Sequence, residues 1–232
     1  MQRGLAGDAG KLWVTATEQL AGKARRGRGW VSKPGNLYSS LLLVDPAPVS
    51  SLATLPMVVS LALHKAIIGA APSCEGQLAI KWPNDLLLDG KKLSGILLES
   101  TVQSDGTVLV VIGCGINCTH FPDNPLYPAT SLTHEGFQVS PESLFADFSD
   151  TMAETLSSWN KGQNFSAIRE AWLDRCVGLG KPIVARFEGH ELRGTFEALD
   201  ESGHLLLRDA QGKRHFVSAA DIFFGTLTPN TA

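Results

Sequence analysis

A chain of 232 residues with 44% hydrophobic side chains can bury one good core plus a small satellite, and its composition agrees with a soluble enzyme. A formal net charge of −3 argues against nucleic acid as the main partner. No apolar stretch reaches transmembrane length and no signal peptide precedes Leu12, so a cytoplasmic chain without a membrane partner is expected. Cys74, Cys114, Cys118 and Cys176 show no paired C-x-x-C spacing and read as reduced, mostly buried thiols rather than a metal site.

Directly after the apolar stretch 12–17, residues 22–30 read G-K-A-R-R-G-R-G-W, with four cations interleaved with glycines and closed by an aromatic. Glycines let backbone amides turn toward an anion, Arg supplies bidentate forks, Lys a point charge, and Trp30 a face for a planar base. A solvated basic turn or a nucleic-acid contact would look the same in isolation. Ser50-Ser51 then reads as an N-cap, followed by Leu52, Leu55, Val59, Leu63, Ala66 and Ile67 at helical spacing. The spacing predicts a core helix behind a sheet, with His64 on its polar face.

Residues 81–100, K-W-P-N-D-L-L-L-D-G-K-K-L-S-G-I-L-L-E-S, enter from a short apolar run, break at Pro83 and turn at Asp89-Gly90 as a hairpin. Lys81, Asn84 and Asp85 therefore end one strand, Lys92 starts the next, and all meet at one sheet edge. A carboxylate beside lysines in a phosphate site suggests a magnesium ion or an oriented lysine; a charged hairpin tip is the plainer alternative. Residues 108–117, V-L-V-V-I-G-C-G-I-N, form a buried strand running into G-x-G, with Cys114 filling a small-residue slot and Asn117 beyond the turn. Neither a Rossmann nor a P-loop motif is present.

Residues 121–136, rich in Pro, Asn and Thr, read as a surface loop in which Ser131 is a weak candidate. Two amphipathic helices follow. One starts at Ser140-Pro141-Glu142 and carries Leu144, Phe148, Met152, Leu156 and Trp159; the other follows Asn164 with Phe165, Ile168, Trp172 and Cys176. Their aromatics read as core. After Gly178, β-rich runs at 183–187, 192–198, 204–208 and 215–218 alternate with turn clusters and predict a small barrel, on which His190, His204 and His215 read as strand-edge surface residues.

GKARRGRGW, KWPND, KLSGILLES and IGCGIN occur in an order that resembles the biotin protein ligases, also called holocarboxylase synthetases, and 31–43 is similar to that family's segment after the loop. The resemblance implies an α+β fold: a mixed β-sheet catalytic domain of the biotin/lipoate ligase type over 1–178, then an SH3-like barrel over 179–232. It implies two steps. Biotin carboxylate attacks the α-phosphate of MgATP to give biotinoyl-AMP and pyrophosphate, and a lysine of a biotin carboxyl carrier protein or biotin-dependent carboxylase subunit then attacks the acyl carbon. The first step asks for positioning and charge neutralisation, which a site rich in Lys, Arg and amides supplies.

Carried over position by position, Gln19, Lys23, Ala24, Arg25, Lys92, Gly95 and Gly115 are expected at biotin. Arg28, Trp30, Lys81, Asn84, Asp85 and Asn117 are expected at ATP, with Asp85 at magnesium. Lys92, Arg25 and Lys81 are the expected catalytic residues, and the chain would act as monomer or homodimer. Two departures stand out. Lys23 and Ala24 replace an Arg and a Gly of the family loop, and the family's Ser-Thr-Asn strand upstream of the loop is absent, the chain starting at what looks like the middle of the helix after it. A DNA-binding winged helix is not expected. Lipoate ligase chemistry on the same fold, or a chain that only binds biotin or its adenylate, are the alternatives.

Overall fold

The computed structural model describes residues 1–24, 27–123 and 127–224. A short helix α1 (Gln2–Leu5) precedes β1 (Leu12–Ala16) and β2 (Leu37–Val44). Helix α2 (Leu55–Ala70) leads to β3 (Leu78–Lys81), β4 (Asp85–Leu88), β5 (Lys91–Val102) and β6 (Val108–Ile116). These strands form one sheet in the order β1-β2-β6-β5-β4-β3. Every ladder in it is antiparallel. Parallel pairing enters through isolated bridges, Lys92 with Ala129 and Ile80 with Cys176, which make the sheet mixed only at those points.

The β4–β5 hairpin closes where it was expected, because Asp89 (φ 49°) and Gly90 (φ 74°) both take the left-handed backbone that a two-residue hairpin turn requires. Leu86, Leu88, Leu93, Ile96, Val110 and Ile112 bury the inner side of the sheet against α2. That helix is apolar nearly all round, which fits an element covered on every side. Outside it lie α3 (Pro141–Trp159) and α4 (Phe165–Leu173). Two buried indoles tie them to it: Trp159 Nε1 donates to Thr54 Oγ1 at 2.9 Å and Trp172 Nε1 to Ser60 Oγ at 3.0 Å. Ser140 caps α3 by accepting from the Ser143 amide.

Several expectations need correction. The α-helix begins at Leu55 with Pro56 in its first turn, and Ser50 and Ser51 lie in a 3-10 turn, Val49–Thr54. With that turn the run Val49–Ala70 is long and apolar enough to cross a membrane by composition, and two thirds of its most apolar stretch is buried inside the protein. His64 is buried rather than on a polar face, its Nε2 at 3.3 Å from the Leu78 carbonyl oxygen at the start of β3. The stretch 121–136 is a surface loop only in part: Thr130, Ser131 and Leu132 are fully buried.

Strands β7 (Pro182–Arg186), β8 (Glu191–Leu199), β9 (Leu205–Arg208), β10 (Arg214–Val217) and β11 (Asp221–Phe224) make a second sheet in the order β10-β9-β8-β7-β11. The small β-unit expected after Gly178 is therefore present, with a fifth strand, and as an open sheet: among the described residues no β10–β11 ladder closes a barrel. Its inner residues join the same core as the first sheet. A Cβ at Gly203 would approach Met57 to 3.0 Å and Phe165 to 3.4 Å, and the Gly203 carbonyl accepts from Trp82 Nε1 at 3.1 Å.

Candidate active site

Residue spacing on β5 and β6 builds the site floor. Side chains on a strand alternate between faces, so Gly95, Leu97 and Glu99 on β5 and Val111, Gly113 and Gly115 on β6 share the face opposite α2. Gly95 and Gly115 are cross-strand partners, as are Leu97 and Gly113. The floor is consequently backbone over much of its area. A cavity of about 450 Å³ opens on it, a size suited to a small-molecule substrate.

The basic loop forms one wall. The Trp30 amide donates to Gly22 O at 2.9 Å and the Ala24 amide to Arg28 O at 2.8 Å, so the segment folds back on itself as a small hairpin. Gly22 is needed there, since a Cβ would stand 2.6 Å from Trp30 O. The Trp30 indole lies on the glycine pair: a Cβ at Gly95 would approach it to 2.7 Å and one at Gly115 to 2.6 Å. Its Nε1 is buried without a hydrogen-bond partner among the described residues. Arg28 reaches Asp221 of β11 at 3.7 Å. Arg25, expected as a catalytic and biotin contact, lies outside the described residues.

The β3–β4–β5 turn region supplies the charged end. Lys81 and Asp85 are register partners. Asp85, 8% exposed, accepts from Lys92 Nζ at 2.8 Å, which aims that ammonium from the start of β5. The backbone of Lys92 is bracketed by 128–130, its amide donating to Pro128 O at 2.8 Å and its carbonyl accepting from the Thr130 amide at 3.0 Å. Glu135 straps this segment by accepting from both Lys91 Nζ at 2.8 Å and Thr130 Oγ1 at 2.6 Å. The Lys91 bond first, then that of Thr130, holds its carboxyl below the usual range.

Of the residues expected at the site, Gln19, Lys23, Ala24, Arg28, Trp30, Lys81, Asp85, Lys92, Gly95, Gly115 and Asn117 all line this cavity. Asn84 does not. It is 4% exposed and donates through Nδ2 to Ile96 O at 2.8 Å, pinning the turn beneath the site. Asn117, also buried, donates to Thr130 O at 3.0 Å. Ser131 serves the fold, bonding Thr119 O at 3.0 Å. Lining residues that sequence reasoning missed include Ser40, Glu99, Val111, Tyr127 and Asp221. The period of two running forward from Gly95 and back from Gly115 could have found Glu99 and Val111; Asp221 belongs to the strand that was not anticipated.

The lining carries the cations Lys23, Arg28, Lys81 and Lys92 and the carboxylates Asp85, Glu99 and Asp221. Two of the carboxylates are engaged by cations, so the site suits an anionic substrate. A thiol nucleophile is poorly supplied. Burial pushes the Cys114 thiol far up and raises Cys118 and Cys176 to about 11, and no cluster of His, Cys, Asp or Glu that could hold a metal occurs among the described residues.

A cation-lined cleft on a glycine floor beside a small second sheet defines a class. The sequence matches the Biotin/lipoate A/B protein ligase family over residues 5–117 and the Biotin protein ligase C terminal domain over 178–225. The biotin–[acetyl-CoA-carboxylase] ligase of Paracoccus denitrificans is 41% identical over 94% of this chain and 92% of its own length. A biotin protein ligase from Aquifex aeolicus in complex with biotin and ATP superposes with a TM-score of 0.80 at 26% identity, covering 97% of this chain and 94% of that one. The Leishmania major enzyme in complex with biotinyl-5-AMP gives 0.65 at 27% identity, over 94% and 92%. The chain belongs to the biotin protein ligase family.

Proposed function

We propose that this chain activates biotin with MgATP as biotinoyl-AMP and transfers the acyl group to a lysine of a biotin carboxyl carrier protein or carboxylase subunit. The observation that carries the reading is the Asp85–Lys92 pair at 2.8 Å beside Lys81 at the edge of a backbone-floored cavity. Adenylation sets a carboxylate against a phosphate, and the chief obstacle is repulsion between anions. Lys92, oriented by Asp85, is placed to neutralise the biotin carboxylate and then the acyl phosphate; Lys81 and Arg28 face the phosphate chain. Magnesium enters as part of MgATP, since Asp85 already accepts from Lys92 and offers at most a shared contact. Asn117 and Trp30 serve the adenine side.

Transfer then needs an acceptor amine at the acyl carbon, and the basic loop over the cavity shields the mixed anhydride from water until it arrives. The same proposal places the enzyme in the cytoplasm without a nucleic-acid partner, supported by the net charge of −3, the free cysteines and the burial of the Val49–Ala70 side chains. Incubation with MgATP, labelled biotin and a biotin carboxyl carrier domain tests it. Label on the carrier, dependent on ATP, is expected. Biotin binding without pyrophosphate release would make the chain a binder, and labelling with lipoate in place of biotin would move it to the sister chemistry.

A further inference from the structure

Lys81 sits at the seam between the two sheets, and aromatic rings gather around it. Its Nζ lies 5.3 Å from the centroid of the Tyr127 ring, 5.6 Å from Phe224 and 5.9 Å from Phe223. These rings come from two distant parts of the chain, the segment after β6 and the last strand of the second sheet. They also support each other: Tyr127 and Phe223 stand 5.4 Å apart at 46°. Phe223 is fixed from a further side, with the Arg186 guanidinium 4.4 Å from its centroid and Arg186 Nε donating to Glu191 at 2.7 Å.

An ammonium within about 6 Å of a ring face is attracted by the ring quadrupole, and a lysine left unguided spreads over many rotamers. Lys92 is aimed by a carboxylate; at Lys81 three ring faces add an uncharged contribution to the aim of the ammonium. The cavity reaches both Lys81 and Tyr127. We propose that Tyr127, Phe223 and Phe224 are positioning residues that form an aromatic cradle for Lys81, so that the second sheet helps set the enzyme's hold on the phosphate chain of MgATP. The proposal rests on the assignment of Lys81 to that chain. It gives the second sheet a task at the nucleotide.

Biotin-dependent pyrophosphate release at varied MgATP tests it. Replacing Tyr127 and Phe223 together by Leu, which keeps apolar bulk and removes the ring faces, should raise KM for MgATP roughly three- to tenfold, with kcat and the KM for biotin nearly unchanged. Tyr127→Phe and Phe223→Tyr should restore the parent value. In a Lys81→Met background the same Leu replacements should change KM no further, because rings that act through Lys81 lose their object. Phe224→Leu, at an exposed position, with direct calorimetry of ATP binding, keeps the test available where the double variant folds poorly. An equal effect of the rings with and without Lys81, or no effect on KM in its presence, overturns the cradle. A Lys81→Met chain with parental KM overturns it by a different route, by removing Lys81 from the phosphates.

Discussion

At Gly95 and Gly115 the absence of a side chain does structural work, because the Trp30 indole occupies the space a Cβ would need. Glycine on adjacent strands lets another flat group approach the backbone, and here the basic loop supplies one from the chain itself. Lys92 stands on the same strand as Gly95, near its start, with its ammonium fixed by Asp85. On the proposed mechanism, replacing Lys92 by Ala removes the cation assigned to the biotin carboxylate, and a charged stabiliser at such a centre is typically worth about 3 kcal/mol. Adenylate formation should fall roughly a hundredfold. The side chain is partly exposed, so its removal should move the melting temperature little. Pyrophosphate release and thermal unfolding on the same preparation check both halves; release close to the parent rate would take Lys92 out of the site.

Among the elements, α2 is buried over most of its surface and carries one imidazole into the core. Burial, the largest influence, holds His64 below the ordinary imidazole range, with its bond to the Leu78 carbonyl pulling the other way. In the unfolded chain the ring protonates near its ordinary value of about 6.5. Between that value and the depressed folded one, the unfolded state binds more protons, so stability falls as pH drops through that interval and is fully present above it. The urea midpoint should decline from about pH 7.5 to about pH 5.5, and decline less in His64→Leu. Identical slopes would assign the titration to another group. His64 also marks a limit on what sequence can say. Periodicity located α2, α3 and α4, but it could not show that the helix would be covered on its remaining face by α3 and α4. Asp89-Gly90 was legible because the turn's backbone demands those residue types. Strand β11 was not: Asp221–Phe224 is held by its ladder with β7, and no local signal announces a pairing that distant. For the same reason Asp221 was not anticipated as a lining residue, while Lys81, Asp85, Lys92 and Asn117, inside continuous motifs, were expected at the site and do line the cavity. Asn84 shared the motif yet is spent on the Ile96 carbonyl, a difference that spacing cannot reveal.

On the scale of the whole molecule the two sheets share one continuous core, and the bond from Trp82 Nε1 to Gly203 O at 3.1 Å crosses between them. Trp82 follows Lys81 directly, so the contact that docks the second sheet is one residue from the charged end of the cavity. The five tryptophans, at 13, 30, 82, 159 and 172, all precede the second sheet. Their fluorescence therefore reports the first part of the chain, whereas far-ultraviolet circular dichroism reports both. A shared core predicts that the two signals follow one denaturation curve. Trp82→Phe keeps an aromatic ring in place and leaves the Gly203 carbonyl buried without its donor, which should cost about 1–3 kcal/mol. The urea midpoint should drop with the two probes still coincident, because the core that the two sheets share remains. Circular dichroism that begins to change before fluorescence would show instead that this hydrogen bond, rather than the common core, makes the sheets unfold together.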